Sequence, residues 1–573
     1  MTRAFTKIFI LAFIVVAAVF AALIPAAYAE DGKPQLAPLN PAFLQYLETL
    51  KLRGAAAAPK TRSGHGLGKI PSPIIAIAGS PSATELKSGI KGSYPASYDL
   101  REHDKVSPVK NQGSCGDCWA FAAMSSMESY FMPGETLDLS EADLNANSGF
   151  DVGSCNGGDN QMSAAYMTRW SGPLVEGSST VVKHAQNIIF LTRRAGATDN
   201  DRIKSALPAY GGLGVAFYYD DSYYNSSTHS YYADISTSDH NSNHEVTLIG
   251  WDDNYPKANF STMPGGDGAF ICKNSWGAGW GDNGYFYVSY YDGVFGRDEY
   301  VAAFTGEAVT NYTSVYSYDK LGWVANYGYG ATTAWYSNIF TAAANEGLKA
   351  IGFYTNDSST DYTIYVYTGV TAGQPTSGTL AYSASGSFDS PGYYTVPVGY
   401  LAVAAGQLFS AVVKAANTSY TSPIPIEAQR PDYSSQASAS GNSYISSDGL
   451  SWVALQTIAI SGVSPTNVSL KAYATRHPPS GSVALTDNLF RPLKGLNCKI
   501  DVTIFVGGDI TIKVYTLNGG LVRTIYDGPA NAGVLSRFWD GKTDNGNLVA
   551  SGLYFIHVKG PNTNKTEKVV VIK

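Results

Sequence analysis

From about residue 310 onward the sequence alternates apolar and polar residues in short runs, and this period of two constrains the fold more than any other feature. Tyr362-Thr-Ile-Tyr-Val-Tyr-Thr368 and Leu408-Phe-Ser-Ala-Val-Val413 are such runs, separated by turns of Gly, Asn, Ser and Asp. Residues two apart share one face of a strand. A series of such runs therefore predicts an all-β sandwich over 310–475. Arg476-His-Pro-Pro-Ser-Gly-Ser482 has the composition of a linker, assigned to 476–484. Beyond it, Ile510-Thr-Ile-Lys-Val-Tyr515, the turn Asn518-Gly519 and Leu521-Val-Arg-Thr-Ile-Tyr526 predict a hairpin within a second sandwich, 485–573. Residues 94–305 mix helix and strand signals instead. With 573 residues the chain exceeds one hydrophobic core, so about three folded units are expected.

The N-terminal segment reads as an export signal over residues 1–29. Arg3 and Lys7 precede an unbroken apolar run, Ile8 to Ile24, and Ala27-Tyr28-Ala29 supplies a small-x-small cleavage pattern. The alternative is an uncleaved anchor, since the run sits at the short edge of spanning length. Otherwise no membrane contact is expected, and a secreted or cell-surface location follows. A net charge of −7 over this length argues against a nucleic-acid partner. Residues 30–93 are rich in Pro, Ala, Gly and Ser. One short helix is expected there, capped by Asn40, with Phe43, Leu44, Leu47 and Leu50 on one face. The rest, including Ile74-Ile-Ala-Ile77, reads as extended. The segment is assigned as a propeptide, with a flexible spacer as the alternative.

Export places five cysteines, Cys115, Cys118, Cys155, Cys272 and Cys498, in an oxidising compartment. An odd count leaves at least one thiol unpaired or specialised. In Gln112-Gly-Ser-Cys-Gly-Asp-Cys-Trp-Ala-Phe-Ala-Ala123 a Gly-punctuated loop runs into a helical stretch that Pro133-Gly134 stops. Cys118 falls at the helix N-terminus, where the macrodipole and free N–H groups favour a thiolate. A thiolate there is built to attack an acyl carbon. Cys115-x-x-Cys118 also admits a redox pair or half a zinc site. No second cysteine pair with metal spacing follows, so no metal and no cofactor are assigned. A nucleophile needs a base, and the base needs an orienting group. His244 opens the strand His244-Glu-Val-Thr-Leu-Ile-Gly250, with His240 as the rival, and Asn274 lies near the end of the following strand.

These segments resemble the active-site blocks of the papain/cathepsin family of cysteine peptidases. Its signature places C-G-[SA]-C-[WY] about 130–150 residues before the His and Asn; here the offsets from Cys118 are 126 and 156. The resemblance covers 94–305. It implies an α+β domain, a helical half and a β-barrel half, followed in this multidomain chain by the two all-β sandwiches. It makes Cys118 the nucleophile, His244 the base, Asn274 its orienter and Gln112 an oxyanion donor. It further implies that Trp276 shields the His–Asn bond, that Gly157 and Gly158 form a substrate wall, and that Cys115 pairs with Cys155. Three features depart from the pattern. Asp117 stands where the signature has Ser or Ala, either capping the helix or raising the thiol pKa. Asn254 to Gly268 looks inserted, able to shape or cover the cleft. Cysteines for the family's other disulfides are missing, and Cys272 is read as a buried structural thiol.

Residues 310–475 resemble the lectin-like domain of some prokaryotic papain-like peptidases. Residues 485–573 look like the Ig-like domain of flagellar hook-capping proteins. Cell-surface glycans are candidate partners of the former, although aromatic alternation also suits plain sheet packing. Asp540-Gly-Lys-Thr-Asp-Asn-Gly-Asn547 suggests calcium or a hairpin turn. The reading is a monomeric, secreted cysteine endopeptidase made as a zymogen, acting on protein or peptide substrates. Its rivals are a surface adhesin with a relic protease domain and an acyl transferase acting on amines.

Overall fold

A computed structural model of the chain describes residues 33–53, 58–78, 94–458, 464–476 and 480–573. The export signal and part of the linker lie outside them. Among the described residues no helix is long and apolar enough to cross a membrane.

Trp119, Ala120, Ala123, Met124 and Met127 are all fully buried, so the helix Cys118–Phe131 is enclosed on several sides. It ends where Met132 adopts the extended conformation that a following proline favours. The helix lies against the strands Leu213–Phe217, His244–Asp252 and Val301–Ala308. These belong to an antiparallel series running Lys183–Leu191, Val301–Ala308, Leu213–Phe217, His244–Asp252, Ala269–Lys273, Tyr285–Ser289. Their register sets Phe217 opposite His244, and Leu248 opposite Cys272. Both faces of the central strands are covered, which explains their nearly continuous burial.

The sheet does not stop at the edge of this unit. Strand Gly392–Val403 of the following region pairs with Lys183–Leu191, Gly392 opposite Ile189 and Tyr393 opposite Ile188. Strands Glu346–Thr355, Leu470–Thr475 and Ser314–Tyr316 extend it further. A six-stranded sheet containing Thr333–Thr341, Thr360–Thr368 and Leu408–Asn417 makes the other main layer of this β-region. One hydrophobic core runs from Trp119 and Met124 to Trp323, Tyr354 and Phe409.

The C-terminal unit has its own core around Phe490, Cys498, Ile512 and Trp539, between a three-stranded and a five-stranded sheet. Strands Gly508–Thr516 and Leu521–Ala530 form a hairpin closed by the Asn518-Gly519 turn. Asp540 is engaged by Arg523, and Asp544 accepts from the Thr524 N–H. Among the described residues no cluster of His, Cys, Asp or Glu could hold a metal ion.

The described residues before 94, termed the leader, pack against both larger units. Helix Pro41–Arg53 is capped by Asn40, whose Oδ1 accepts from the Ala42 N–H at 3.1 Å. Phe43 and Leu47 enter the shared core. Leu44, expected on the same face, is 45% exposed, because the neighbours that would cover it lie on the Phe43 side.

Candidate active site

The loop before Cys118 is stitched to the loop after Lys273 by backbone bonds, Gln112 N–H to Ser275 O at 2.8 Å and Gly277 N–H to Lys110 O at 3.0 Å. These bonds bring together side chains as far apart in sequence as Gln112 and Ser275, 163 residues. Cys118 is the first residue of its helix and fully buried. His244 begins its strand and is also fully buried, whereas His240 sits exposed in the preceding loop against Tyr218.

His244 Nε2 lies 2.9 Å from Asn274 Oδ1. The same oxygen accepts from the Ser275 N–H at 2.8 Å, which fixes it as the amide's acceptor. Nε2 therefore donates, and Nδ1 is the basic atom. Nδ1 is buried without a hydrogen-bond partner. The Trp276 ring stacks on the imidazole at 4.6 Å and is itself buried.

Gln112 Nε2 donates to the Gly66 carbonyl at 3.2 Å and to the Cys115 carbonyl at 2.7 Å. Its Oε1 accepts from Ser275 Oγ at 2.5 Å. Ser275 thus decides which end of the amide faces the cleft. Sequence reasoning passed over it, although it stands between Asn274 and Trp276; a hydroxyl beside an orienting asparagine was the available signal.

Cys115 and Cys155 form a disulfide, while Cys118, Cys272 and Cys498 are free and buried. Cys115 is therefore unavailable as a redox or zinc partner for Cys118. Asn145 ties this region together: its Oδ1 accepts from the Cys155 N–H, and its Nδ2 donates to Ser154 Oγ and to Asp117 Oδ2. Asp117 stands at the N-cap position but makes no side-chain capping bond. Burial pushes its carboxyl up to about 6. The capping alternative is thus set aside by geometry.

A polypeptide already lies in the cleft. Residues 58–78 cross it, with Lys69 bridging Gly158 in a parallel pairing. Gly158 N–H donates to Gly68 O at 2.9 Å, and Ile70 N–H to Gly158 O at 3.1 Å. The Gly68 N–H points at Cys118 Sγ, 3.3 Å away. The sulfur therefore faces a donor in this segment, not an electrophilic carbon. A Cβ on Gly66 would stand 1.9 Å from Cys115 O, and one on Gly68 equally close to Gly116 O. Only glycine allows this approach. Gly157 and Gly158, expected to form a substrate wall, meet different neighbours. A Cβ on Gly157 would meet Ile70 of the leader at 2.6 Å, whereas one on Gly158 would strike the Trp119 ring at 2.2 Å. His65 stacks on Trp276 at 5.0 Å.

With the segment in place the Cys118 thiol and the His244 imidazole are both driven toward neutrality. Burial, then the Glu245 charge, pushes the Cys118 thiol up to about 12. Burial pushes the His244 imidazole down to about 4. Desolvation in this closed arrangement thus opposes the thiolate expected at the helix N-terminus. The Asn254–Gly268 loop packs elsewhere, Tyr255 and Phe260 forming a small core with Tyr232 and Ala269.

Residues 94–303 match the family described as papain family cysteine protease. They form a papain-like cysteine protease domain. Residues 315–474 match the lectin like domain, and 507–564 the FlgD Ig-like domain. A cysteine protease of Blomia tropicalis is 28% identical over 221 residues, 34% of this chain and 62% of that protein. A viral cathepsin of Lymantria dispar multicapsid nuclear polyhedrosis virus is 32% identical over 209 residues, 34% of this chain and 54% of that protein. The chain thus spans little more than half the length of such relatives. The crystal structure of the protease and lectin-like domains of Cwp84, a surface layer associated protein of Clostridium difficile, aligns with a TM-score of 0.63 at 23% identity. That alignment covers 79% of this chain and all of the other, so a papain-like domain followed by a lectin-like one is an architecture the two share.

Proposed function

We propose that the chain is the precursor of a secreted cysteine endopeptidase, with residues 30–93 as propeptide. The observation that carries this reading is Gln112 Nε2 on the Gly66 carbonyl: the side chain assigned to the oxyanion holds a peptide carbonyl of the segment whose Gly68 N–H meets the buried sulfur. In the opened cleft solvent returns, and the thiol passes its proton to His244 Nδ1. The resulting thiolate and imidazolium each favour the other's charge. Cys118 Sγ attacks the substrate carbonyl carbon, while Gln112 and the Cys118 N–H hold the developing oxyanion. His244 returns the proton to the leaving amine, and water hydrolyses the acyl-enzyme, regenerating the thiol. Asn274 keeps the ring's tautomer and direction throughout.

Proteins and peptides are the proposed substrates, and a monomer the proposed state. The signal-like start supports export, and the lectin-like unit supports holding the enzyme at glycans of a cell surface. Cwp84 is surface-layer associated, and we carry that location to this chain on the same grounds.

The test uses the full chain with its leader clipped between residues 78 and 94. Cleavage of unfolded protein should fall by at least about 10³-fold in Cys118→Ala and His244→Ala, and by less in Asn274→Ala, which orients and does not react. His240→Ala should cleave as the parent does. No cleavage by the clipped parent, together with no labelling of Cys118 by a peptidyl epoxide, would overturn the assignment.

A further inference from the structure

Lys69 follows the glycine that touches the nucleophile, and its side chain is entirely buried. Its Nζ lies 3.3 Å from Glu245 Oε2. Burial alone would strip the ammonium of its proton, but Glu245, Glu299 and Asp159 together hold its pKa above the ordinary lysine value. Asp298 adds a fourth carboxylate that feels the same cation.

Three of these acids have other hydrogen-bond partners. Asp159 accepts from the Met162 N–H and the Tyr433 hydroxyl, Asp298 from Ser242, and Glu299 from the Ser72 N–H. Glu245 differs. Neither of its buried carboxylate oxygens has a well-formed hydrogen bond: the Asn160 side chain stands beside it, and its ion partner among the described residues is Lys69. Glu245 follows His244 on the same rigid strand, so its position relative to the reacting atoms is fixed.

A buried, unpaired carboxylate is costly, and protonation or a counter-cation relieves it. While the leader is bound, Lys69 is that cation. Once the leader leaves, the pocket keeps Glu245, Asp159, Asp298 and Glu299, with no basic side chain of the catalytic unit paired to Glu245. We propose that this pocket is the main specificity pocket of the enzyme and takes a lysine or arginine side chain of the substrate, with Glu245 as its determinant. The inference rests on Cys118 being the nucleophile. Lys69 is then a built-in sample of the preferred side chain, presented on a backbone that offers an N–H to the sulfur.

The full chain with its leader clipped between residues 78 and 94 would be given a peptide library and the cleaved products sequenced. We expect Lys and Arg to dominate one position on the acyl side of the cut. For a matched pair of peptides, lysine at that position should exceed its uncharged isostere norleucine by at least about tenfold in kcat/KM. Glu245→Gln, which keeps the shape, should reduce that ratio by about tenfold or more. Apolar side chains dominating every position, or a lysine-to-norleucine ratio unmoved by Glu245→Gln, would overturn the pocket assignment while leaving the nucleophile in place. Absence of both cleavage and epoxide labelling would instead overturn the endopeptidase reading.

A second readout uses the uncut chain. Lys69→Met should raise the rate of Cys118 alkylation by about tenfold or more, and Lys69→Arg should raise it far less. Equal rates in Lys69→Met and the parent would show that the buried cation does not hold the leader, and would count against the pocket.

Discussion

Asp117 stands one residue before Cys118, the proposed nucleophile, and its carboxylate is held by Asn145 and not by the helix it precedes. Burial raises its pKa to about 6, and its charge in turn raises that of the Cys118 thiol. The sign follows: an ionised Asp117 opposes the thiolate, so removing the charge should ease thiolate formation. In the leader-free chain Asp117→Asn should shift the acid limb of Cys118 alkylation to lower pH, by roughly half a unit for a charge seen through partly solvated protein. Asparagine retains an oxygen for the Asn145 amide. A limb that stays put or moves upward would show that this carboxylate does not act on the sulfur. Because the folded pKa is raised above the unfolded value near 4, the group also subtracts stability as pH climbs from about 4 through 6. Asp117→Asn should therefore flatten the stability decline across that interval, as read from melting temperature.

At the level of elements, the leader's short helix and its Asn40 cap could be read from spacing, as could the hairpin around Asn518-Gly519, because local rules decide them. The path of residues 58–78 could not. Gly66 and Gly68 look like any loop glycines in the sequence, and what makes them necessary is the backbone of Cys115 and Gly116, some fifty residues away in the chain. The same limit applied to Ser275, whose partner Gln112 lies on a different loop, and to Glu245, which reads as one polar residue in an apolar strand until Lys69 is placed beside it. Asp117 was weighed as a cap because one-dimensional position suggests it; Asn145 could not be foreseen. The glycine argument is directly testable. Gly68→Ala would put a Cβ 1.9 Å from the Gly116 carbonyl oxygen, with backbone on both sides and little room to yield. In the uncut chain the leader should lose its seat, and alkylation of Cys118 should accelerate by roughly tenfold or more, with the melting temperature of the C-terminal unit unchanged. Protection equal to the parent's would mean the segment tolerates displacement, and that its approach to the sulfur is not what shields it.

Over the whole molecule, the change of texture near residue 310 marks a boundary in sequence that is not one in space. Alternation predicts a β-region there, but not that strand Gly392–Val403 would join Lys183–Leu191 in one sheet, since pairing between distant edges leaves no local signature. The two units also share a core, and Tyr433 reaches from the β-region to donate to Asp159 Oδ2 at 2.7 Å. Its ring meets Phe150 and the leader's Phe43, each at 4.9 Å. Asp159 in turn caps the helix Asn160–Thr168 and lines the pocket that holds Lys69. One hydroxyl therefore links the accessory unit, the leader and the cleft. Tyr433→Phe keeps the ring and deletes only this bond. Burial already raises the Asp159 pKa, and the Tyr433 hydroxyl opposes that rise. Without it the carboxylate is harder to ionise in the folded state, so the loss of stability should be larger where Asp159 must carry charge. We expect a cost of about 1 kcal/mol, the usual net worth of a buried hydrogen bond, larger near pH 8 than near pH 5. Melting curves of parent and Tyr433→Phe at the two pH values measure the difference. An equal loss at both would assign the effect to packing against Phe43 and Phe150, and would remove Tyr433 from the electrostatics of the cleft.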